Sequence, residues 1–128
     1  TSKNVFPIKG AQGENKVYTE LGHPGLTEVD DGLLALFVGE DSPKEGHWIN
    51  APRDVGFVKV SSDLQTIMSP NDGSHTGLNY ITDHSSKGES ASRLKTFKLS
   101  SGRVLISYEI WTPSKYDRTE LMELDKDG

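Results

Sequence analysis

Val29-Asp30-Asp31-Gly32-Leu33-Leu34-Ala35-Leu36-Phe37-Val38 returns 70 positions later as Leu99-Ser100-Ser101-Gly102-Arg103-Val104-Leu105-Ile106-Ser107-Tyr108. Both copies read alike: an apolar residue ends a strand, two polar residues and a glycine turn the chain, and an apolar strand follows. A further strand comes after each, Val55–Val60 in the first copy and Thr119–Leu124 in the second. A repeated β unit does not bury both of its sheet faces alone; it stacks on its copies. The expected fold class is therefore all-β, with residues 1–128 as a single unit, a first repeat over 26–68 and a second over 92–128.

Working outward, Val5–Ile8 and Val17–Thr19 read as short strands around a polar loop, and Gly22-His23-Pro24-Gly25 as a turn into Leu26–Val29. Residues 40–52 form a long polar loop that carries His47 and Trp48. Gln65–Met68 reads as a short fourth strand, Ser69-Pro70-Asn71-Asp72-Gly73-Ser74 as a turn cluster, and Leu78–Ile81 as a strand entering the second unit. After the polar loop Thr82–Ser90 come Arg93–Leu99, Arg103–Trp111, the loop Thr112–Asp117 and the last strand. No segment has the apolar period of an amphipathic helix.

Composition narrows the function classes. Only 33% of residues are hydrophobic against 26% charged, with 13 glycines, which suits thin, half-exposed sheets better than a thick helical core. The net charge of −5 and scattered Lys/Arg argue against a nucleic-acid partner, because phosphate backbones are held by clustered cations. No apolar run approaches the ~20 residues of a membrane helix, so membrane insertion is not expected. With no cysteine, disulfides and thiolate metal sites are excluded. The chain starts Thr1-Ser2-Lys3 without methionine, and an extracellular or secreted setting is expected.

The strand, Asp/Ser-Gly turn, apolar strand, variable loop, third strand and Asp-bearing turn together resemble blades of a β-propeller, especially the sialidase-like (Asp-box) type. In that family the turn after the third strand carries Ser-x-Asp-x-Gly-x-Thr-Trp. Ser61-Ser62-Asp63-Leu64-Gln65-Thr66 sits in that place with Ser and Asp matching, without the glycine and with its Thr displaced. Asp125-Lys126-Asp127-Gly128 holds the same place in the second copy without matching the box, and Ser69-Pro70-Asn71-Asp72-Gly73 has Asn where the Asp belongs. The resemblance implies about two four-stranded antiparallel propeller-like blades, part of a β-propeller. Propellers have roughly four to eight blades, so this reading implies another chain completing the sheet assembly, or a longer protein. A closed β-sandwich of similar strand count is the alternative and needs no partner. An Asp or Ser at the blade corner is expected to fix the turn rather than to do chemistry.

Candidate chemistry is sparse. No Gly-x-Ser-x-Gly elbow is present, and His23, His47, His75 and His84 lie apart, in loops where solvated histidines are ordinary. No cofactor is expected; the one opening for calcium is Asp125-Lys126-Asp127-Gly128, which resembles the start of an Asp-x-Asp-x-Asp-Gly loop but lacks the distal carboxylate. A sialidase-like glycoside hydrolase would draw on Arg53, Arg93, Arg103 and Arg118 to bind, and on Glu40, Asp41, Glu109 and Tyr108 for acid/base or nucleophile roles. The leading expectation is a non-catalytic binding or structural module. Trp48 and Trp111 follow the second strand of their copies, and with His47 and Tyr116 they are the residues expected to touch a protein partner or a glycan. A fragment or subunit of a sialidase-like hydrolase and a calcium-stabilised adhesive domain are the alternatives.

Overall fold

The computed structural model describes residues 25–39, 52–70, 79–113 and 115–128. The chain is all-β, built of two antiparallel meander sheets. The first holds β1 (Gly25–Val29), β2 (Gly32–Gly39), β3 (Asp54–Val60) and β4 (Asn79–Tyr80) in that order. The second holds β5 (Ser90–Lys98), β6 (Val104–Thr112) and β7 (Lys115–Leu124), three strands among the described residues where four were expected. Among the described residues the only helical element is the 3₁₀ turn Ser85–Lys87, and no helix is long and apolar enough to cross a membrane.

The central strands form where the sequence echo places them, because alternating Leu, Val and Ile present one apolar face per strand. Two short segments behave differently from the sequence expectation. Gln65–Met68 is no strand: only Ile67 bridges Val60, and the Lys59 carbonyl accepts the amides of both Met68 and Ser69. The fourth strand of the first sheet is Asn79–Tyr80, which pairs with Phe57 and Gly56 rather than entering the second unit. The expected strands Val5–Ile8 and Val17–Thr19 lie outside the described residues.

The turn at residues 61–66 shows what its polar residues do. Ser61 Oγ donates to Asp63 Oδ1 at 2.6 Å, the same oxygen accepts the Gln65 amide at 3.0 Å, and Ser61 Oγ accepts the Thr66 amide at 2.9 Å. Leu64 takes φ 62 where the motif's neighbouring glycine is missing.

The two echoed hairpins differ by one residue, and the difference has a consequence. Val29 pairs with Gly32 across the two-residue loop Asp30-Asp31, whereas Leu99 and Arg103 flank the three-residue loop Ser100-Ser101-Gly102. There the Leu99 amide donates to Arg103 O at 2.8 Å and Gly102, at φ 84, donates to Leu99 O at 2.9 Å. Gly102 is needed for its left-handed backbone. Gly32 lies in the strand and is needed for space, since a Cβ there would run into the Val60 carbonyl.

A one-residue shift in pairing exchanges the two faces of a strand. In β3 the outward-bonded residues are Val55 and Lys59, whose carbonyls accept Ile81 and Met68 amides, so their β2 partners Val38 and Leu34 bond toward β1. In β6 the Leu99–Arg103 bond sets Leu105 and Ser107 toward β5, leaving Val104 and Ile106 bonded toward β7. Yet Leu34, Leu36 and Val38 of one sheet and Val104, Ile106, Tyr108 and Ile110 of the other line the same core. For L-residues the side a strand bonds to fixes the face its side chain takes. The two sheets therefore stack front to back, not as mirror-faced halves. Phe37, Val58 and Val60 form a second cluster on the opposite face of the first sheet.

Candidate functional site

Polar side chains gather where the start of β3, the 82–89 loop and β7 meet. Asp54, fully buried, precedes the apolar run of β3 and organises the loop through its carboxylate. Its Oδ1 accepts the His84 amide at 2.5 Å and the Thr82 hydroxyl at 2.8 Å, and its Oδ2 accepts the Ser85 amide at 3.2 Å. Thr82 Oγ1 in turn accepts the Val55 amide at 2.9 Å. The loop is thus tied to the first sheet by one carboxylate.

Its other side is tied to the second sheet. His84 is 7% exposed, with Nδ1 2.9 Å from Glu89 Oε2 and Nε2 3.3 Å from Glu120 Oε2. Arg118 Nη1 and Nη2 each donate to a Glu89 oxygen at 3.1 Å, while its Nε donates to Glu120 Oε1 at 2.8 Å. A further Nη1 bond reaches Asp117 at 2.5 Å. The Tyr108 hydroxyl donates to Glu120 Oε2 at 2.9 Å, and its ring meets His84 edge-on at 5.9 Å.

The electrostatics keep Glu89, Glu120 and Arg118 charged and the Tyr108 phenol neutral. Arg118, then His84, hold the Glu89 carboxyl from its ordinary 4.5 down to about 2. Burial raises Glu120, but the bonds from Tyr108 and Arg118 outweigh it and its carboxyl ends below the ordinary value. Burial first, and then the bond to Glu120, push the Tyr108 phenol up. Arg118 is raised chiefly by its bond to Glu89. Such a lattice holds elements together; it offers neither a proton-bearing carboxyl nor an activated phenol at neutral pH.

The second cluster is the aromatic patch around Trp111. Arg93 takes φ 52 in a β-bulge between Ser92 and Lys95, which aims its guanidinium over the indole at 5.6 Å. Glu109 closes the group by accepting Trp111 Nε1 at 2.9 Å and lying 3.3 Å from Arg93 Nη1. Tyr116 meets Trp111 edge-on at 6.1 Å, and its hydroxyl lies 3.0 Å from Thr119 Oγ1. Tyr116, expected in a loop, sits in β7 opposite Trp111, because Lys115 already pairs with Thr112.

The structure brings Trp111 and Tyr116 together. His47 and Trp48, the other two expected contact residues, lie outside the described residues, as do His23, His75, Glu40 and Asp41. His84 corrects the reading of solvated loop histidines: it is buried, because the loop folds back between two sheets. Of the hydrolase candidates, Arg118 and Tyr108 both bond Glu120, Arg93 meets Glu109, and Arg103 pairs with Glu123 at the far end of the sheet. The remaining candidate, Arg53, precedes β3, with its amide donating to Ser90 Oγ at 3.2 Å. Sequence reading missed Asp54, Glu89 and Glu120; Asp54 alone carried a signal, a carboxylate abutting the apolar run Val55-Gly56-Phe57-Val58.

At the end of β7, Lys59 Nζ lies 2.7 Å from both Asp31 and Asp127, with its side chain only 3% exposed. Lys126 joins Asp31 at 3.2 Å. The Asp125-Lys126-Asp127-Gly128 corner, the one opening for calcium in the sequence, thus has Asp127 engaged with lysines and Asp125 Oδ1 with the Asp127 amide. Among the described residues no three His, Asp or Glu side chains stand placed to hold a metal ion. Comparison with protein-family models, with curated proteins and with solved structures returns no match.

Proposed function

We propose that this chain is a non-catalytic binding or structural module of β-propeller type, whose second sheet packs against a further β-sheet from another chain. The observation that carries this reading is the front-to-back stacking of two meanders on one core. Such stacking is open-ended: whatever face the first sheet offers the second, the second offers again on its far side. That far side carries Phe97 and Leu121, 50% and 68% exposed, on either side of Leu105 and Ser107. A mirror-faced sandwich would have used up its apolar faces and has no need of this one.

The Arg93-Trp111-Tyr116 group lies at the hairpin end of the same sheet, and Trp, Tyr and Arg are the residue types that dominate binding hot spots. It is the contact surface for a protein or, through the aromatic rings, for a glycan. A hydrolase reading has one observation in its favour, the meeting of Arg118, Tyr108 and Glu120. Against it, Tyr108 is 1% exposed and its phenol is pushed up rather than down. An extracellular setting accords with an adhesive or scaffolding role.

Solution mass tests the proposal. Light scattering across a concentration series should show self-association of the isolated chain, or capture of a β-partner. Leu121→Lys with Phe97→Lys should abolish it without changing the circular-dichroism strand signal. A stable monomer across the whole series, insensitive to both substitutions and with no partner chain, would overturn it and favour the closed sandwich.

A further inference from the structure

We propose that the outer edge of β7 is a pairing surface for a second copy of this chain: two β7 strands run antiparallel about a dyad at Leu121 and join two second sheets into one. This is a strand edge, not the far face of the sheet, and it goes beyond the module reading. Val104 and Ile106 bond toward β7, so their partners Leu124 and Met122 bond back toward β6. Bonding direction alternates along an antiparallel pair, which turns the amides and carbonyls of Thr119, Leu121 and Glu123 outward. None of the three has a backbone partner across that edge among the described residues. In the first repeat the corresponding strand, β3, is covered there. The Val55 carbonyl accepts the Ile81 amide, the Lys59 carbonyl accepts those of Met68 and Ser69, and Asn79–Tyr80 pairs with Phe57 and Gly56.

Open edges are commonly blunted by a bulge or by charge, and β7 has its bulge only near its start. Asp117 is the extra residue where the register shifts opposite Ile110 and Trp111. From Arg118 to Leu124 the ladder is regular, and the midpoint of that stretch is Leu121, 68% exposed. Charge then selects the register. When a strand pairs with its own copy, one residue meets itself at the dyad. Dyads at Arg118, Glu120 or Glu123 set like charges directly opposite, which is destabilising. Dyads at Met122 and Thr119 lose part of the overlap, the first to the turn after Leu124 and the second to the bulge. A dyad at Leu121 uses the whole stretch: Glu120 meets Met122, Thr119 meets Glu123 and Arg118 meets Leu124. No charge stands opposite its like, and Arg118 Nε already neutralises Glu120 at 2.8 Å. Ladder bonds made here replace bonds to water and each nets little, so the apolar pair at the dyad is what holds the edge. Leu121→Lys would set ammonium against ammonium at that point.

Single cysteines read the register, because the chain has no cysteine of its own. In a bonded antiparallel pair the Cα atoms lie about 5.5 Å apart, within the span of a disulfide. Under mild oxidation of the folded chain, Leu121→Cys should form a covalent dimer about tenfold faster than Thr119→Cys or Glu123→Cys, whose copies are out of register with themselves. A mixture of Thr119→Cys and Glu123→Cys should cross-link one chain to the other as fast as Leu121→Cys does. In the unsubstituted chain, the Leu121 amide should exchange about threefold slower at high protein concentration than at low, while the Met122 amide, already bonded to β6, should not change. Equal rates for the three single cysteines, or a Leu121 amide insensitive to concentration, would overturn the proposal. Phe97→Lys strips the far face and leaves the edge, so it keeps the two readings apart. The Leu121→Cys cross-link should survive it, whether or not light scattering shows the face-packed assembly. Loss of the cross-link in the Phe97→Lys background would mean capture through the face; that overturns the edge pairing and leaves the module reading standing.

Discussion

Replacing Gly32 and Gly102 separately, each by alanine and by asparagine, should separate two glycines that hold the same place in the repeat. At Gly32 a Cβ would lie well inside contact distance of the Val60 carbonyl, with Met68 Sδ 3.2 Å away. Overpacking against backbone costs about 1–3 kcal/mol, and the loss of unfolded-state freedom on replacing glycine returns about 0.4–1 kcal/mol. The net expectation for Gly32→Ala is a destabilisation of about 1–2 kcal/mol, and Gly32→Asn should be at least as costly. At Gly102 the nearest atom to a Cβ is 4.0 Å away, so space is free, but φ is 84. A left-handed alanine costs about 1–2 kcal/mol before the same return, a net loss of about 0.5–1 kcal/mol. Asparagine tolerates that backbone, so Gly102→Asn should be within about 0.5 kcal/mol of wild type. Urea unfolding at constant m-value reads all four differences. Should Gly32→Asn prove as mild as Gly102→Asn, the close approach of β2 to β3 at Val60 would be wrong, and with it the one-residue difference between the hairpins.

Three further outcomes are expected. Lys59→Met should change stability by no more than about 1 kcal/mol in thermal unfolding, because a buried ion pair roughly balances its own desolvation. By contrast Asp31→Asn with Asp127→Asn leaves a shielded ammonium unpaired and should lower the thermal midpoint more than Lys59→Met does, though less than in a deep core because both carboxylates are about half exposed. In acid, Glu89, Glu120, Asp31, Asp63 and Asp127 are all held below their ordinary values, so the folded chain binds fewer protons than the unfolded one. Their contribution is complete above the ordinary carboxylate range and fades as pH falls from there toward about 2. The urea midpoint should drop along that limb, and Glu89→Gln should flatten its lowest part.

How much of this was legible in the sequence follows from the range of each interaction. Strand positions depend on neighbours two residues away, and the runs at 33–38, 55–60 and 104–111 announced themselves by apolar alternation. Ser61 and Asp63 act on amides within five residues, and so their turn could be named in advance. Asn79–Tyr80 could not be given to its sheet, because two residues have no pattern of their own and pair with Gly56 and Phe57 only once that edge exists. Tyr116 was misplaced by a hairpin shorter than its composition suggested. Glu89, Arg118 and Glu120 look like any solvated charges on a loop and a strand; they become a lattice only when β7 is laid beside the 82–89 loop.

The sequence by itself determined that this protein is all-β, that its central hairpin occurs twice, and where the apolar stripes run. Those are local properties, written in side-chain period and turn chemistry. The tertiary structure alone decided that the sheets stack front to back, that His84 is enclosed rather than solvated, and that Lys59 sits between Asp31 and Asp127. Each depends on which face a strand turns to its neighbour. One extra residue in the loop at 100–102 reverses that choice for half of the molecule.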